Sequence, residues 1–150
     1  MTMGTKVSTT RFGEIEVPDD RVLSFPDGLI GFEENRRFTV LAQGDSPFQW
    51  MQSLDQGDLA FVIINPLVFK PDYQVVLPRE ELAGIGLGNE ADAAIYALVV
   101  IPEDPRKMTA NLLGPLVINT KNNMAKQVVL TEGAHSPRHP ILPETEEATC

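Results

Sequence analysis

Between residues 92 and 130 the chain carries four short apolar runs, and each is cut off before it could make a buried helix. They read Asp92-Ala-Ala-Ile-Tyr-Ala-Leu-Val-Val-Ile-Pro102, Met108-Thr-Ala-Asn-Leu-Leu-Gly-Pro115, Leu116-Val-Ile-Asn119 and Gln127-Val-Val-Leu130. A helix buried on all sides needs a longer run than any of these, whereas short β-branched and aliphatic runs between turn residues are what strands require. Pro102, Pro105 and Pro115 each lack a backbone donor, which a helix interior does not tolerate and a strand end does. No catalytic group lies inside the runs, so they read as core.

The rest of the chain repeats the pattern. Val7 and Thr9 alternate with Ser8 and Thr10, Arg11-Phe12-Gly13 turns, and Ile15 and Val17 alternate with Glu14 and Glu16. Alternation of period two with acids on one face predicts a half-buried hairpin. Further strands are expected over 21–25, 37–42, 48–54, 59–64 and 74–77. In the fourth, Leu59-Ala-Phe-Val-Ile-Ile64 is apolar at every position, which suits a central strand covered on both faces. The segment 78–83 is the best helix candidate: Pro78 starts it, Glu80 and Glu81 suit the positive end of its dipole, and Gly84 follows. Phe25-Pro-Asp-Gly-Leu-Ile-Gly-Phe32 combines large apolar residues with two glycines, which reads as a shaped loop plugging one end of the fold. Order is expected to decline beyond Leu130, with 131–140 lying across the surface anchored by Ile141 and Leu142. The expectation is therefore an all-β, mainly antiparallel fold, a small closed or nearly closed barrel with one or two short helices. Residues 1–142 are expected to form one domain, followed by a disordered acidic tail at 143–150.

Charge narrows the function classes. The chain has 12 Lys and Arg against 21 Asp and Glu, a net charge of −9. Too few cations are available to neutralise phosphates on the scale that direct nucleic-acid binding demands. An acidic surface suits a cationic protein partner. Cys150 is the sole cysteine and cannot close an internal disulfide, and no apolar stretch suffices for a signal region or a membrane span. The expected address is the cytoplasm, without membrane contact.

The catalytic and ligating patterns are weak. His135 and His139 are four apart, but Pro137 and Pro140 forbid the helix that would align them on a metal. Gly84-Ile-Gly-Leu-Gly88 lacks the Lys-Ser/Thr of a phosphate loop. Serines lack a nucleophile-elbow setting, and Asn65, Asn111 and Asn119 read as turn formers. No enzyme, metal or cofactor is expected. A small-ligand-binding barrel is the alternative, and it would need a cavity lined by a few polar groups.

Assembled in order, the segments resemble the flagellar assembly factor FliW family. The resemblance rests on Thr10-Arg-Phe-Gly-Glu-Ile-Glu-Val17, Phe25-Pro-Asp-Gly-Leu-Ile-Gly-Phe32, Ser46-Pro-Phe-Gln-Trp-Met-Gln-Ser-Leu54 and Leu59-Ala-Phe-Val-Ile-Ile64. It continues through Ile101-Pro-Glu-Asp104, Met108-Thr-Ala-Asn-Leu-Leu-Gly-Pro115, Val117-Ile-Asn119, Lys126-Gln-Val-Val-Leu130 and Arg138-His-Pro140. It spans residues 5–142; family members often carry an aromatic where this chain has Ala134-His135-Ser136. It implies a cytoplasmic, non-enzymatic β-barrel protein that binds flagellin and the translational repressor CsrA. Free of flagellin, such a protein binds CsrA and relieves repression of flagellin translation; accumulating flagellin recaptures it. Antagonism of that kind can act away from the RNA surface of CsrA. On this resemblance the CsrA-binding candidates are Ile101, Pro102, Glu103 and Asp104, with Asn111 and Leu112 nearby: an apolar anchor beside acids. The flagellin-binding candidates are Phe25, Leu29, Ile30 and Phe32, an apolar loop able to receive a helix face.

Overall fold

The computed structural model describes residues 4–42, 44–131 and 133–142, so the expected acidic tail and Cys150 lie outside the described residues. Strands β1 (Gly4–Thr9) and β2 (Gly13–Pro18) form the expected hairpin, in register from Gly4↔Pro18 to Thr9↔Gly13. Val7, Thr9, Ile15 and Val17 turn inward while Lys6, Ser8, Glu14 and Glu16 stay exposed. The Thr9 hydroxyl donates to the Gly13 carbonyl and accepts from the Phe12 amide, which fixes the turn. At the tip, the Arg11 guanidinium lies 4.0 Å above the Trp50 ring, which Phe12 meets edge-on.

The main sheet is antiparallel throughout its ladders. Its strands are β3 (Leu23–Ser24), β4 (Arg37–Ala42), β5 (Phe48–Ser53), β6 (Ala60–Ile64), β7 (Ala93–Val100), β8 (Thr109–Ala110), β9 (Leu116–Asn119), β10 (Ala125–Gln127) and β11 (His139–Pro140). They run in the order β10-β9-β7-β6-β5-β4-β3, with β8 on β7 and β11 on β8. The short helix α1 (Arg79–Ala83) sits where Pro78 and the acids place it, with Leu82 turned into the core.

The closed barrel is not formed. β7 divides its second edge between two partners: Ala93 to Tyr96 face β9, and Val99 and Val100 face β8. The sheet therefore branches instead of returning on itself. Among the described residues its ends meet through one parallel bridge, Ser24↔Met124, where the Ser24 amide donates to the Asn123 carbonyl at 2.9 Å, and through the Asn123 side-chain amide, which donates to the Asp20 carbonyl at 2.8 Å. The expected strand at 21–25 shrinks to two residues, and the one expected at 74–77 pairs with no strand among the described residues.

β7 alternates between two cores, which is why its run is continuously apolar. Ala93, Ile95, Ala97 and Val99 face one cluster with Ile64, Tyr73, Ile85, Leu112 and Val117. Ala94, Tyr96 and Leu98 face the other with Phe25, Leu29, Phe38, Met51, Ile63 and Leu116. β6 repeats the division at Ile63 and Ile64, as its doubly apolar sequence requires. The expected asparagine turns are also present. Asn65 accepts from the Leu67 amide, Asn111 from those of Leu113 and Gly114, and Asn119 from that of Lys121.

The segment expected to lie across the surface ends in the sheet, and Ile141 anchors it as expected. β11 pairs His139↔Ala110, the Leu112 amide donates to Ser136, and Ile141 packs on the first core. Beneath it the Tyr73 hydroxyl donates to the Leu112 carbonyl at 2.7 Å, and burial pushes that phenol up to about 12. His135 meets the Tyr73 ring edge-on, and the His139 ring lies 5.8 Å from that of Phe69. Burial holds His139 below its ordinary value, the Lys70 charge adds to this, and Asp72 opposes it. A base with a lowered folded value favours the fold while neutral, so this contribution is intact above 6.5 and is lost as pH falls below it. Amide exchange in 108–112 and 139–141 should accelerate as pH is lowered through that window, after correction for intrinsic exchange. In His139→Gln the extra acceleration should vanish.

Candidate functional site

The loop after β3 divides its apolar residues between the core and water. Phe25 and Leu29 are fully buried, and Phe25 packs edge-on against Phe38 at 5.3 Å. Gly28 makes the inward turn possible: its φ is +68°, and a Cβ there would stand 2.6 Å from the Glu33 backbone. Ile30 and Phe32, by contrast, are 60% and 42% exposed, with Phe32 resting edge-on against Phe61 at 5.1 Å. The four loop candidates therefore separate into two plugs of the second core and two surface residues.

The other predicted group divides in the same way. Val100 and Ile101 are 64% and 49% exposed where β7 runs out, and Pro102 and Glu103 continue the exposed surface. Asp104 is half-buried and already engaged. It caps the turn Pro105–Lys107 through the Arg106 amide and pairs with the Arg106 side chain at 3.1 Å. Those hydrogen bonds from Arg106 hold its carboxyl below the usual value. Leu112 is fully buried in the first core, beyond the reach of a partner, and Asn111 spends its carbonyl oxygen on the turn to Gly114. Val100 is an exposed apolar residue the sequence reading did not single out; its place at the end of an apolar run closed by Pro102 was the available signal.

A chain of polar contacts joins the two regions. The Ile30 amide donates to Gln127 Oε1 at 3.1 Å, Gln127 Nε2 donates to the Gly114 carbonyl at 3.0 Å, and the Gly114 amide donates to Asn111. Beside it Lys126 pairs with Glu81 of α1 at 2.5 Å and with Asp27 of the loop at 3.5 Å. The hydrogen bond to Glu81 raises the lysine's pKa, so it stays charged and ties loop, helix and β10 together.

The interior expected of a ligand-binding barrel is filled by Phe25, Leu29, Phe38, Met51 and Ile63. Among the described residues no group of three or more His, Cys, Asp or Glu could hold a metal ion, and no helix is long and apolar enough to cross a membrane. What these two regions present to solvent is exposed apolar side chains beside charged ones.

Comparisons with known proteins agree with one another. The model of the family described as FliW protein matches residues 6–141. A protein named flagellar assembly factor FliW from Leptospira interrogans serogroup Icterohaemorrhagiae serovar Lai is 41% identical over 142 residues, 93% of this chain and 95% of its own length. One of the same name from Treponema denticola is 41% identical over 143 residues, covering 95% and 97%. A crystal structure of the flagellar assembly factor FliW superposes with a TM-score of 0.86 at 33% identity, covering 93% of this chain and 98% of that one.

Proposed function

The chain belongs to the FliW family of flagellar assembly factors, and from that membership we propose that it is a cytoplasmic regulator working by exchange between two protein partners. In this reading residues 1–142 act as one domain. It binds CsrA through Val100, Ile101, Pro102 and Glu103, with Asp104 and Asn111 as the rigid border of that surface. It binds flagellin through Ile30 and Phe32, backed by Phe25 and Leu29 beneath them. Binding CsrA relieves repression of flagellin translation, and flagellin that accumulates takes the factor back. No reaction is catalysed and RNA is not touched.

The observation that carries the reading is the exposed apolar end of β7 set against acids in a chain of net charge −9. A repressor that binds RNA must present cationic surface, and an acidic partner with an apolar anchor matches it. The path Ile30–Gln127–Gly114–Asn111 supports communication between the two surfaces.

Labelled CsrA bound to this protein should be released on titration with flagellin, and RNA binding by the freed CsrA should return with the same midpoint. Absence of measurable CsrA binding at low salt would end the proposal. Glu103→Lys should slow association roughly three- to tenfold at low salt, with the difference fading as salt is raised. Glu14→Lys, the same charge change at an exposed acid of the hairpin, serves as the control.

A further inference from the structure

We propose that the groove beside the first half of β7 receives an extended, cation-flanked segment of a partner protein as an added β-strand. The proposal is independent of the partner exchange described above. The ladder between β6 and β7 runs Val62↔Val99, Ile63↔Leu98 and Ile64↔Ala97, and there it stops. Continued in register, Ile95 would face Pro66, which has no amide hydrogen to give. The chain instead leaves the sheet through Asn65 and the turn Pro66–Val68. Among the described residues no strand takes its place on that side of β7.

Which main-chain groups are left facing the groove follows from the pairing on the opposite edge. The Leu98 carbonyl accepts from Asn111 and the Asp92 carbonyl from Thr120, so even-numbered residues of β7 direct their N–H and C=O towards β8 and β9. Odd-numbered ones point the other way, where Ala97 and Val99 meet β6. Ala93 and Ile95 therefore aim their amides and carbonyls into a cleft of about 380 Å³. Its walls are Pro66, Leu67, Tyr73, Val75 and Leu77, and the unpaired extended segment 74–77 forms the far side. Leu67, Val68 and Val76 are exposed around it.

An open hydrogen-bonding edge between apolar walls is the requirement of strand addition: main-chain bonds supply affinity and alternate side chains supply selectivity. A small polar ligand is a poor match, because the lining carries no charged side chain and the Tyr73 hydroxyl is already given to Leu112. Pairing with a second copy would bring together two chains of net charge −9. The same imbalance favours a segment with Lys or Arg at its flanks.

The probe is acetyl-Lys-Val-Thr-Val-Thr-Val-Lys-amide, with two analogues, one N-methylated on its three valines and the other on its two threonines. Only one set of amides can face β7. One analogue should therefore bind about tenfold or more weakly, because its methyl groups replace the amide hydrogens that would face β7, while the other keeps the affinity of the parent. The parent should also slow hydrogen exchange at the Ile95 amide, and a Glu-flanked analogue should bind less well. Equal effects of the two methylation patterns, unchanged exchange at Ile95, or no binding at millimolar peptide would each overturn the assignment. So would concentration-dependent dimerisation that protects Ile95 without peptide. None of these readouts depends on a variant that must fold, and none involves CsrA or flagellin.

Discussion

Phe25→Ala will destabilise the protein by about 3–5 kcal/mol, while Ile30→Ala two turns of the same loop away will change stability by no more than about 0.5 kcal/mol. Both residues are large, apolar and in a glycine-containing loop, so hydropathy assigns them alike. The difference is in what surrounds them. Phe25 is fully enclosed by the second core and packs edge-on on Phe38, and truncation leaves a cavity that the neighbouring strands cannot collapse into. Its backbone bonds, the amide to Arg36 and the carbonyl from Gly28, survive the substitution, so the loss reports packing alone. Denaturant melts of the two variants should show a shifted midpoint with unchanged slope for Phe25→Ala and superposable curves for Ile30→Ala. Ile30→Ala should still weaken flagellin binding; unimpaired binding would remove Ile30 from the proposed surface.

The second large effect is expected at Gly57. A Cβ there would stand 2.0 Å from the carbonyl oxygen of Ser8, a backbone atom that cannot rotate aside. Gly57 also accepts the Thr10 amide at 3.1 Å and the Gln52 side chain at 3.2 Å, so this close approach, together with Arg11 and Phe12 on Trp50, holds the β1–β2 hairpin to the rest of the molecule. Gly57→Ala should cost about 1–3 kcal/mol, as overpacking at a rigid contact does. The damage should be local, because the hairpin pairs with no strand of the main sheet among the described residues. Amides of residues 5–17 should lose protection while those of β4 to β7 keep theirs. A uniform loss across the chain would mean that the hairpin is integral to the cooperative unit.

What could be read from the residues follows this distinction between pattern and placement. Alternation with acids gave the hairpin, and a fully apolar run gave β6 as a strand between two cores, because the side-chain period responds directly to burial. Proline and glycine located α1 and the asparagine turns through their backbone constraints. Closure into a barrel was not legible: it depends on β7 sharing its edge between β8 and β9, a matter of which partners arrive and not of any local signal. The same holds for 74–77, whose residues suit a strand but which meets no partner strand among the described residues. β11 was missed because its two residues, one a proline, carry no periodicity at all. Among the candidate surface residues, Phe25, Leu29 and Leu112 were indistinguishable by composition from Ile30, Phe32 and Ile101, and only the fold separates inward from outward.

The single bridge between Ser24 and Met124 has a mechanical consequence. A complete barrel has a circumference fixed by cooperative ladders all the way round, so it widens only by unfolding. Here the wall is a split collar whose seam has one main-chain bridge, fastened further by Asn123 on Asp20 and Lys126 on Asp27, and no ladder crosses it. The girth of the molecule is therefore set at the seam by side-chain packing, where Leu23 and Phe25 share the second core with Leu116 and Ala125, and not by a continuous ladder.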